Sequence, residues 1–334
     1  MNIPVGTLKK FKHLSAHVES NGILPIHKYL RFGDGFIVKN VSHAFVIFES
    51  EDCKSDKDEV ILVPELDLYS LLSVTTSSFI SITRKKDKVE LNDGRDKIIV
   101  QTPPTREFNI PAVESKEVIL SEEFMTAVAQ AALFANPVKD GPEYYGFVHI
   151  GENAVCSGEG FTIYHHPIKE DVKIVLKNKI AQTLSKLNIN SFSESTSHYY
   201  FRNPEAVFGF SKPDTGWFDI TRLFKQKREY SFTLSASDIS SFNNLALQLS
   251  KTAAVTISDG KFEMNDMLLD KHHEREAQGI KLPAPFTYKP EGMNTVIKGL
   301  DVEELDFSDS APAYYISSKD TKATAIIAKI QKPQ

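Results

Sequence analysis

The sequence predicts an α+β protein built from three similar thirds, each with two helices packed on antiparallel sheets. An amphipathic helix followed by short alternating strands recurs six times, with helices expected near Gly6, Pro64, Ser121, Lys177, Ala236 and Lys289. Their spacing of roughly 50–60 residues lies in the range of internal repetition. Gly, Asn or Asp turns close the strand runs, and these residues tolerate tight reversals. A chain of 334 residues gives each third about 110, enough for its own core. The expected boundaries are 1–114, 115–228 and 229–334.

In the first helix Leu8, Phe11, Leu14 and Val18 share one face, and Lys9, Lys10, Lys12, His13 and His17 fill the rest, so one side is core and the other basic. Gly22 is expected to end it. Alternation over FIVKNVS and HAFVIFES predicts strands, and the charged run 51–59 an exposed turn. VPELDLYSLLSV is the second helix, with Pro64 in its first turn and Leu68, Leu71 and Leu72 facing inward. Strands FISITR, KVELND and KIIVQT follow, joined by turns at Lys85–Asp87 and Asn92–Gly94. The proline-rich TPPTREFNIPAVE has no periodicity and is expected to be a linker.

The second third repeats the scheme. Ser121 is a plausible N-cap and Glu122 and Glu123 suit the positive end of the helix dipole. Strands YYGFVHI through FTIYHH, the helix KNKIAQTLSKLNI, strands HYYFR and AVFGF, and the linker-like WFDITRLFKQKRE complete it. The last third holds SASDISSFNNLALQLS, strands AAVTIS and KFEMND, a polar extended run through KHHERE, the helix KPEGMNTVIKGL, and strands AYYISS and TAIIAKIQ. Gly292 weakens that last helix by up to about 1 kcal/mol relative to Ala.

Charge and cysteine usage exclude several classes. With 39 basic against 44 acidic residues the chain lacks the global basic footprint of simple nucleic-acid binders, so any DNA contact must be local. Cys53 and Cys156 are the only cysteines and neither sits in a C-x-x-C pair, which fits a reducing compartment rather than a disulfide framework. The N-terminal MNIPVGTLKKFKHL lacks a secretory apolar region, and no stretch approaches the roughly 18 apolar residues of a spanning helix; a cytoplasmic protein without membrane contact is expected. His165 with His166, and His272 with His273, alternate across strand faces and cannot easily converge on one metal. GENAVCSGEG lacks phosphate-loop spacing, and Cys156 has no flanking catalytic signature. No cofactor, metal or enzyme activity is expected.

An ordered series of segments resembles a known family across essentially the whole chain. ILPIHKYL, VILVPELDLYSLL, TREFNIPAV, EYYGFVHI, SGEGFTIYHHPI and WFDITRLF follow the order of segments in the bacterial-type DNA sliding clamp, the beta subunit of DNA polymerase III, of which this chain resembles a divergent member. It departs where the family has threonine, aspartate, glycine, a variable residue and arginine; here stand Cys156, Ser157, Gly158, Glu159 and Gly160. Ala328, Lys329 and Ile330 replace the family's terminal methionine-proline-methionine.

The resemblance implies three clamp domains closing head to tail as a homodimeric ring around double-stranded DNA, a processivity factor for the replicative polymerase without catalysis. Sliding demands phosphate affinity without base readout. Lys9, Lys10, Lys12 and His13 on the first helix, Lys177, Lys179 and Lys186 on the fourth and Lys298 on the sixth are the candidate DNA contacts; each alone reads more readily as a solvated helix face, and the pattern across several helices is what favours DNA. By position Ile98 and Val100, with Leu247 opposite, resemble the family's dimer interface. The family's pocket for linear motifs of polymerase and clamp loader maps to Tyr144, Cys156, Gly158, Phe161, Leu223, Phe224, Ile326 and Ala328, and the departures above predict an altered motif preference. The alternatives are a scaffold or structural protein, viral for example, that uses the same architecture without encircling DNA, and a monomeric peptide-binding module.

Overall fold

The computed structural model describes all residues except 19–23, 42, 55–58, 109–112, 114–115, 137–140, 216–219, 221–222, 226–230, 267–268, 278–279, 283, 311–312 and 331–334. Among the described residues one eight-strand, two-helix series occurs three times. It runs first through β1 (Asn2–Pro4), α1 (Val5–Ser15), β2 (Tyr29–Gly33), β3 (Phe36–Val41), β4 (Ala44–Glu49), β5 (Ile61–Pro64), α2 (Glu65–Val74), β6 (Phe79–Lys85), β7 (Lys88–Asn92) and β8 (Lys97–Gln101). The second pass is β9 (Val118–Ile119), α3 (Glu122–Ala132), β10 (Phe147–Gly151), β11 (Ala154–Glu159), β12 (Thr162–Pro167), β13 (Ile174–Lys177), α4 (Asn178–Leu184), β14 (Ser191–Glu194), β15 (His198–Arg202) and β16 (Ala206–Ser211). The third is β17 (Ser231–Ser235), α5 (Ala236–Leu249), β18 (Ala254–Ser258), β19 (Lys261–Asp266), β20 (Lys271–Glu276), β21 (Phe286–Tyr288), α6 (Pro290–Leu300), β22 (Glu304–Ser310), β23 (Ala313–Ser317) and β24 (Thr324–Ala328).

The chain divides into two compact units, Met1–Leu120 with Lys186–Lys212, and Ser121–Ser185 with Pro213–Gln334. The first holds a four-stranded sheet β1-β6-β7-β8 and an eight-stranded sheet β5-β2-β3-β4-β16-β15-β14-β9. The second holds the eight-stranded sheet β13-β10-β11-β12-β24-β23-β22-β17 and the four-stranded sheet β20-β19-β18-β21. All pairings among the described residues are antiparallel, and each eight-stranded sheet is two four-stranded halves joined at one edge, β4 to β16 or β12 to β24.

The registers repeat as well. One row of paired residues crosses the first large sheet as Leu62, Arg31, Val38, Ile47, Val207, Arg202, Ser191 and Ile119. Its counterpart crosses the second as Val175, His149, Cys156, His165, Thr324, Ser317, Asp306 and Thr233. Both rows begin and end three residues before a helix.

Helices pack in pairs, α1 with α2, α3 with α4 and α5 with α6. Leu8, Phe11, Leu14 and Val18, and likewise Leu68, Leu71 and Leu72, are buried as their spacing requires, each leucine or phenylalanine contributing about 1.5–3 kcal/mol. Ser121 caps α3 by accepting from the Phe124 amide at 3.1 Å. Gly292 and Gly299, apparent defects of α6, are approach points: a Cβ at 292 would crowd the Thr162 methyl, and one at 299 would enter the Phe134 ring.

Several elements differ from expectation. Helix α1 ends at Ser15, and Gly22 lies outside the described residues. Lys177 ends β13, held by its pairing with Phe147, and Lys186 lies beyond the last turn of α4. The stretch 51–59 is not wholly exposed: it begins with a short 3₁₀ turn that buries Cys53, and burial pushes that thiol up to about 12. The short strands β5, β13 and β21 run straight into helices and carry no turn signal. The acidic β22 was hidden by Glu304, Asp306 and Asp309, and β17 adjoins the stretch read as linker.

Candidate functional site

The basic candidates form local groups. In the first unit Lys9, Lys10 and His13 are exposed; the Lys12 ammonium lies 5.1 Å above the Tyr69 ring, which α1 also holds through Ser15 Oγ to Tyr69 Oη at 2.6 Å. Lys10 is partly neutralised by an ion pair with Glu205. The His13 and His17 rings meet edge to face at 5.5 Å. Burial, then the fields of His13 and Lys186, lowers the His17 pKa, so Lys186 shares one positive field with the end of α1. In the second unit Lys177 and Lys179 are exposed around the start of α4 and Lys298 in the last turn of α6. Such cations attract phosphates, and contacts to the phosphate backbone carry no sequence information.

The candidate groove lies on the second large sheet, on the face away from its helices. Strand alternation and register put Cys156 and Gly158 of β11, His165 of β12, Ile326 and Ala328 of β24 and Tyr315 of β23 on that face. Phe224 covers it, its ring 4.6 Å from His165 and edge-on to Tyr315 at 6.2 Å; Tyr315 Oη donates to the Leu223 carbonyl. Phe161 is 53% exposed at the β11–β12 turn, its carbonyl accepting from the Ala328 amide at 2.8 Å and its ring under the Lys289 ammonium at 4.5 Å. Tyr144 precedes β10 and packs edge-on to Tyr145 at 5.0 Å. Cys156, Gly158, Phe161, Leu223, Phe224, Ile326 and Ala328 are thus neighbours, and Tyr144 is tied to the same sheet through its carbonyl, 3.3 Å from His149 Nε2. Gly158 is required there, since a Cβ would lie 2.8 Å from the Thr162 carbonyl.

Sequence reasoning missed His165 and Tyr315 as groove residues. The signal was available: a two-residue turn at Gly160 and Phe161 sets His165 opposite Cys156. Burial and then His166 lower the His165 pKa, and it faces Phe224 as a neutral ring. His166 points the other way, to Tyr164 Oη at 3.2 Å and Glu123 at 3.5 Å. His272 and His273 diverge likewise, one to Asn265 and one onto the Phe242 ring. No group of three His, Cys, Asp or Glu side chains among the described residues converges on a metal site.

The first unit shows what closes such a face. There Phe45 lies over Gly209, at the positions Ile163 and Ile326 occupy in the second. Phe108 packs with Val38, Phe45, Ile47 and Tyr200 in a filled core.

Among the described residues β8 and β20 are sheet edges that lack the edge-to-edge joint made by their counterparts, β16 and β24 for β8 and β4 and β12 for β20. On β8 Ile98 and Val100 are half-buried and Ile99 is 52% exposed. Arg275 of β20 reaches Ser241 and the Asp238 carbonyl of α5, and the same helical stripe continues to the partly exposed Leu245 and Leu249; Leu247 is half-buried off that stripe.

No family model matches the sequence, and no curated protein does. Solved structures do. The DNA polymerase sliding clamp of Caulobacter crescentus superposes with a TM-score of 0.85 at 13% identity, covering 99% of both chains. The chain has the beta-clamp fold. A putative DNA polymerase III beta subunit of Eubacterium rectale gives 0.83 at 15% identity, covering 99% of each chain. The Helicobacter pylori beta clamp bound to a DNA ligase peptide gives the same TM-score, identity and coverage. The beta-clamp fold accounts for the antiparallel sheets and paired helices described above, and no described helix is long and apolar enough to cross a membrane.

Proposed function

We propose that this chain is a sliding clamp: a homodimeric ring that encircles duplex DNA in the cytoplasm and tethers the replicative polymerase without catalysing a reaction. The single observation that carries the reading is the series of sheet joints. Strand β4 joins β16, and β12 joins β24, each partner lying twelve strands on; the next member of the series is β20 with the β8 of a second copy. Closure in that way covers the β8 and β20 edges, exposed edges being the usual hazard of an open sheet, and a two-fold dimer is the simplest closed solution. The three passes through the element series support assigning 1–114, 115–228 and 229–334 as the clamp domains.

Lys9, Lys12, His13, Lys177, Lys179, Lys186 and Lys298 are assigned to the DNA-facing surface, with Lys10 weakened by Glu205. The groove under Phe224 is assigned to linear motifs of polymerase and clamp loader, by analogy with the peptide-bound Helicobacter pylori clamp. Extended peptides suit an aromatic-lined groove. With Cys156, His165 and Ala328 on its floor its motif preference differs from that of the family, so the Helicobacter pylori ligase peptide is expected to bind weakly in a fluorescence-polarisation titration; tight binding contradicts the altered preference.

The test of the whole reading is topological. After loading, a clamp stays on circular DNA and runs off the ends once the circle is cut. Equal retention on circles and linear DNA, or a chain that never dimerises, returns the weight to the scaffold or peptide-module alternatives.

A further inference from the structure

The repeated register also fixes how the two copies meet, an inference that rests on the dimer reading above. In each large sheet the joint lies on the described row: Ile47 faces Val207 in one and His165 faces Thr324 in the other. The same row can be followed in the two small sheets. It runs Thr287, Thr256, Glu263, Glu274 towards the β20 edge, and Asn2, Ser81, Asn92, Lys97 towards the β8 edge. Thr287 and Asn2 again stand three residues before helices α6 and α1, so the alignment of all three rows is independent of loop length.

We infer that β8 of one copy pairs antiparallel with β20 of the other in the register Lys97 opposite Glu274. That register sets Asp96 opposite Arg275, Ile98 opposite His273 and Ile99 opposite His272. The chemistry of the two edges agrees with it although neither edge was used to derive it: two successive positions bring opposite charges together. Opposite charges across a strand pair are favourable and like charges unfavourable. A slip of one residue would set Lys97 against His273 or Arg275 and reverse the faces of the whole edge. Lys97 already lies 3.1 Å from Glu90, and Glu274 lies 3.7 Å from Lys261, so the joint extends two existing ion pairs into one outer-face network. The occupant of each edge is therefore a second copy of this chain.

Disulfide trapping reads the register directly. At the existing joints Glu49 N donates to the Glu205 carbonyl and Ala328 N to that of Phe161; counting along the strands makes the Ile98–His273 position a non-hydrogen-bonded pair, whose Cα atoms lie about 4.5 Å apart, within disulfide range. The full-length variant Ile98→Cys with His273→Cys is expected to form covalent dimers on mild oxidation, and Ile98→Cys with Arg275→Cys is not. In the second arm Lys97→Glu raises the dimer dissociation constant by about tenfold or more, since two like-charge contacts form per ring, and adding Glu274→Lys restores it. Sedimentation of the untreated protein separates the two ideas. A wild-type dimer that traps at Ile98/Arg275, or at neither pair, with no rescue by charge exchange, overturns the register and leaves the dimer standing; a wild-type monomer overturns both.

Discussion

Replacing Gly209 by Ala is expected to destabilise the β4–β16 joint by about 2–3 kcal/mol. A Cβ at 209 would overlap the Phe45 ring, and that ring is 1% exposed, flanked by Tyr200 at 5.9 Å and His198 at 6.1 Å. It has no flexible end that can yield. Overpacking a close-fitted core costs about 1–3 kcal/mol, and the cheapest escape, turning the phenylalanine out to solvent, forfeits about 1.5–3 kcal/mol of burial; the two routes bracket the same figure. Phe45→Leu alone should cost about 1 kcal/mol, yet in the Gly209→Ala background it removes the obstacle and should recover at least that much. Urea unfolding followed by far-ultraviolet circular dichroism measures all three variants. Independent sites add within about 0.3–0.5 kcal/mol, so additivity of the two substitutions would refute the packing account.

Two further outcomes concern charge. Lys9→Ala, Lys12→Ala and Lys186→Ala should each lower the salt dependence of DNA binding by about 0.9 in the log–log slope if the residue neutralises a phosphate, whereas Lys10→Ala, already paired with Glu205, should change it less; equal effects of all four would contradict the assignment. Stability should fall as pH drops below 6.5. His17, His149, His165 and His166 are all held below the ordinary imidazole value, by burial first, so in that window the unfolded chain takes up protons that the folded chain refuses. The contribution is complete above pH 6.5 and is lost progressively below it. The depressed carboxylates Glu90 and Glu123, held down first by Lys85 and by Lys322 respectively, titrate further towards acid. A melting temperature unchanged between pH 8 and pH 5.5 would count against this.

The helices were legible because each carries a one-sided apolar stripe: Leu8, Phe11 and Leu14 in α1 and Leu68, Leu71 and Leu72 in α2 needed no partner to be read. Strands β3 and β4 were legible as short apolar runs, and the successive buried residues in each show that both faces are covered. What stayed hidden depended on partners distant in sequence. Asp306 and Asp309 disguise β22, whose pairing with β17 and β23 supplies the backbone bonds its composition does not announce. The groove was half legible: Cys156, Gly158, Phe224, Ile326 and Ala328 came from resemblance by position, but His165 is placed by a hairpin register and Tyr315 by the pairing of β23 with β24. At the edge strands resemblance by position gave Ile98 and Val100, while the more exposed Ile99 follows only once the alternation on β8 is known.

The contrast between the two large sheets can itself be tested by transplanting one into the other. Phe45 over Gly209 fills the outer face of the first sheet, and Ile163 beside Ile326 leaves the corresponding place in the second to be covered by Phe224. Ile163→Phe alone would press a ring against a β-branched neighbour, and Ile326→Gly alone would only widen the groove. Together they reproduce the closed arrangement, with the new ring lying over the new glycine. The double variant should therefore keep its dimer and its DNA retention while losing affinity for whichever sequence binds the wild type best on an array of linear-motif peptides. Ile326→Gly alone should retain more of that affinity than the double variant, because it removes one contact without supplying a plug. Unaltered peptide binding by the double variant would mean that the motif docks elsewhere on the chain, and the assignment of Cys156, Ile326 and Ala328 to peptide recognition would fall with it.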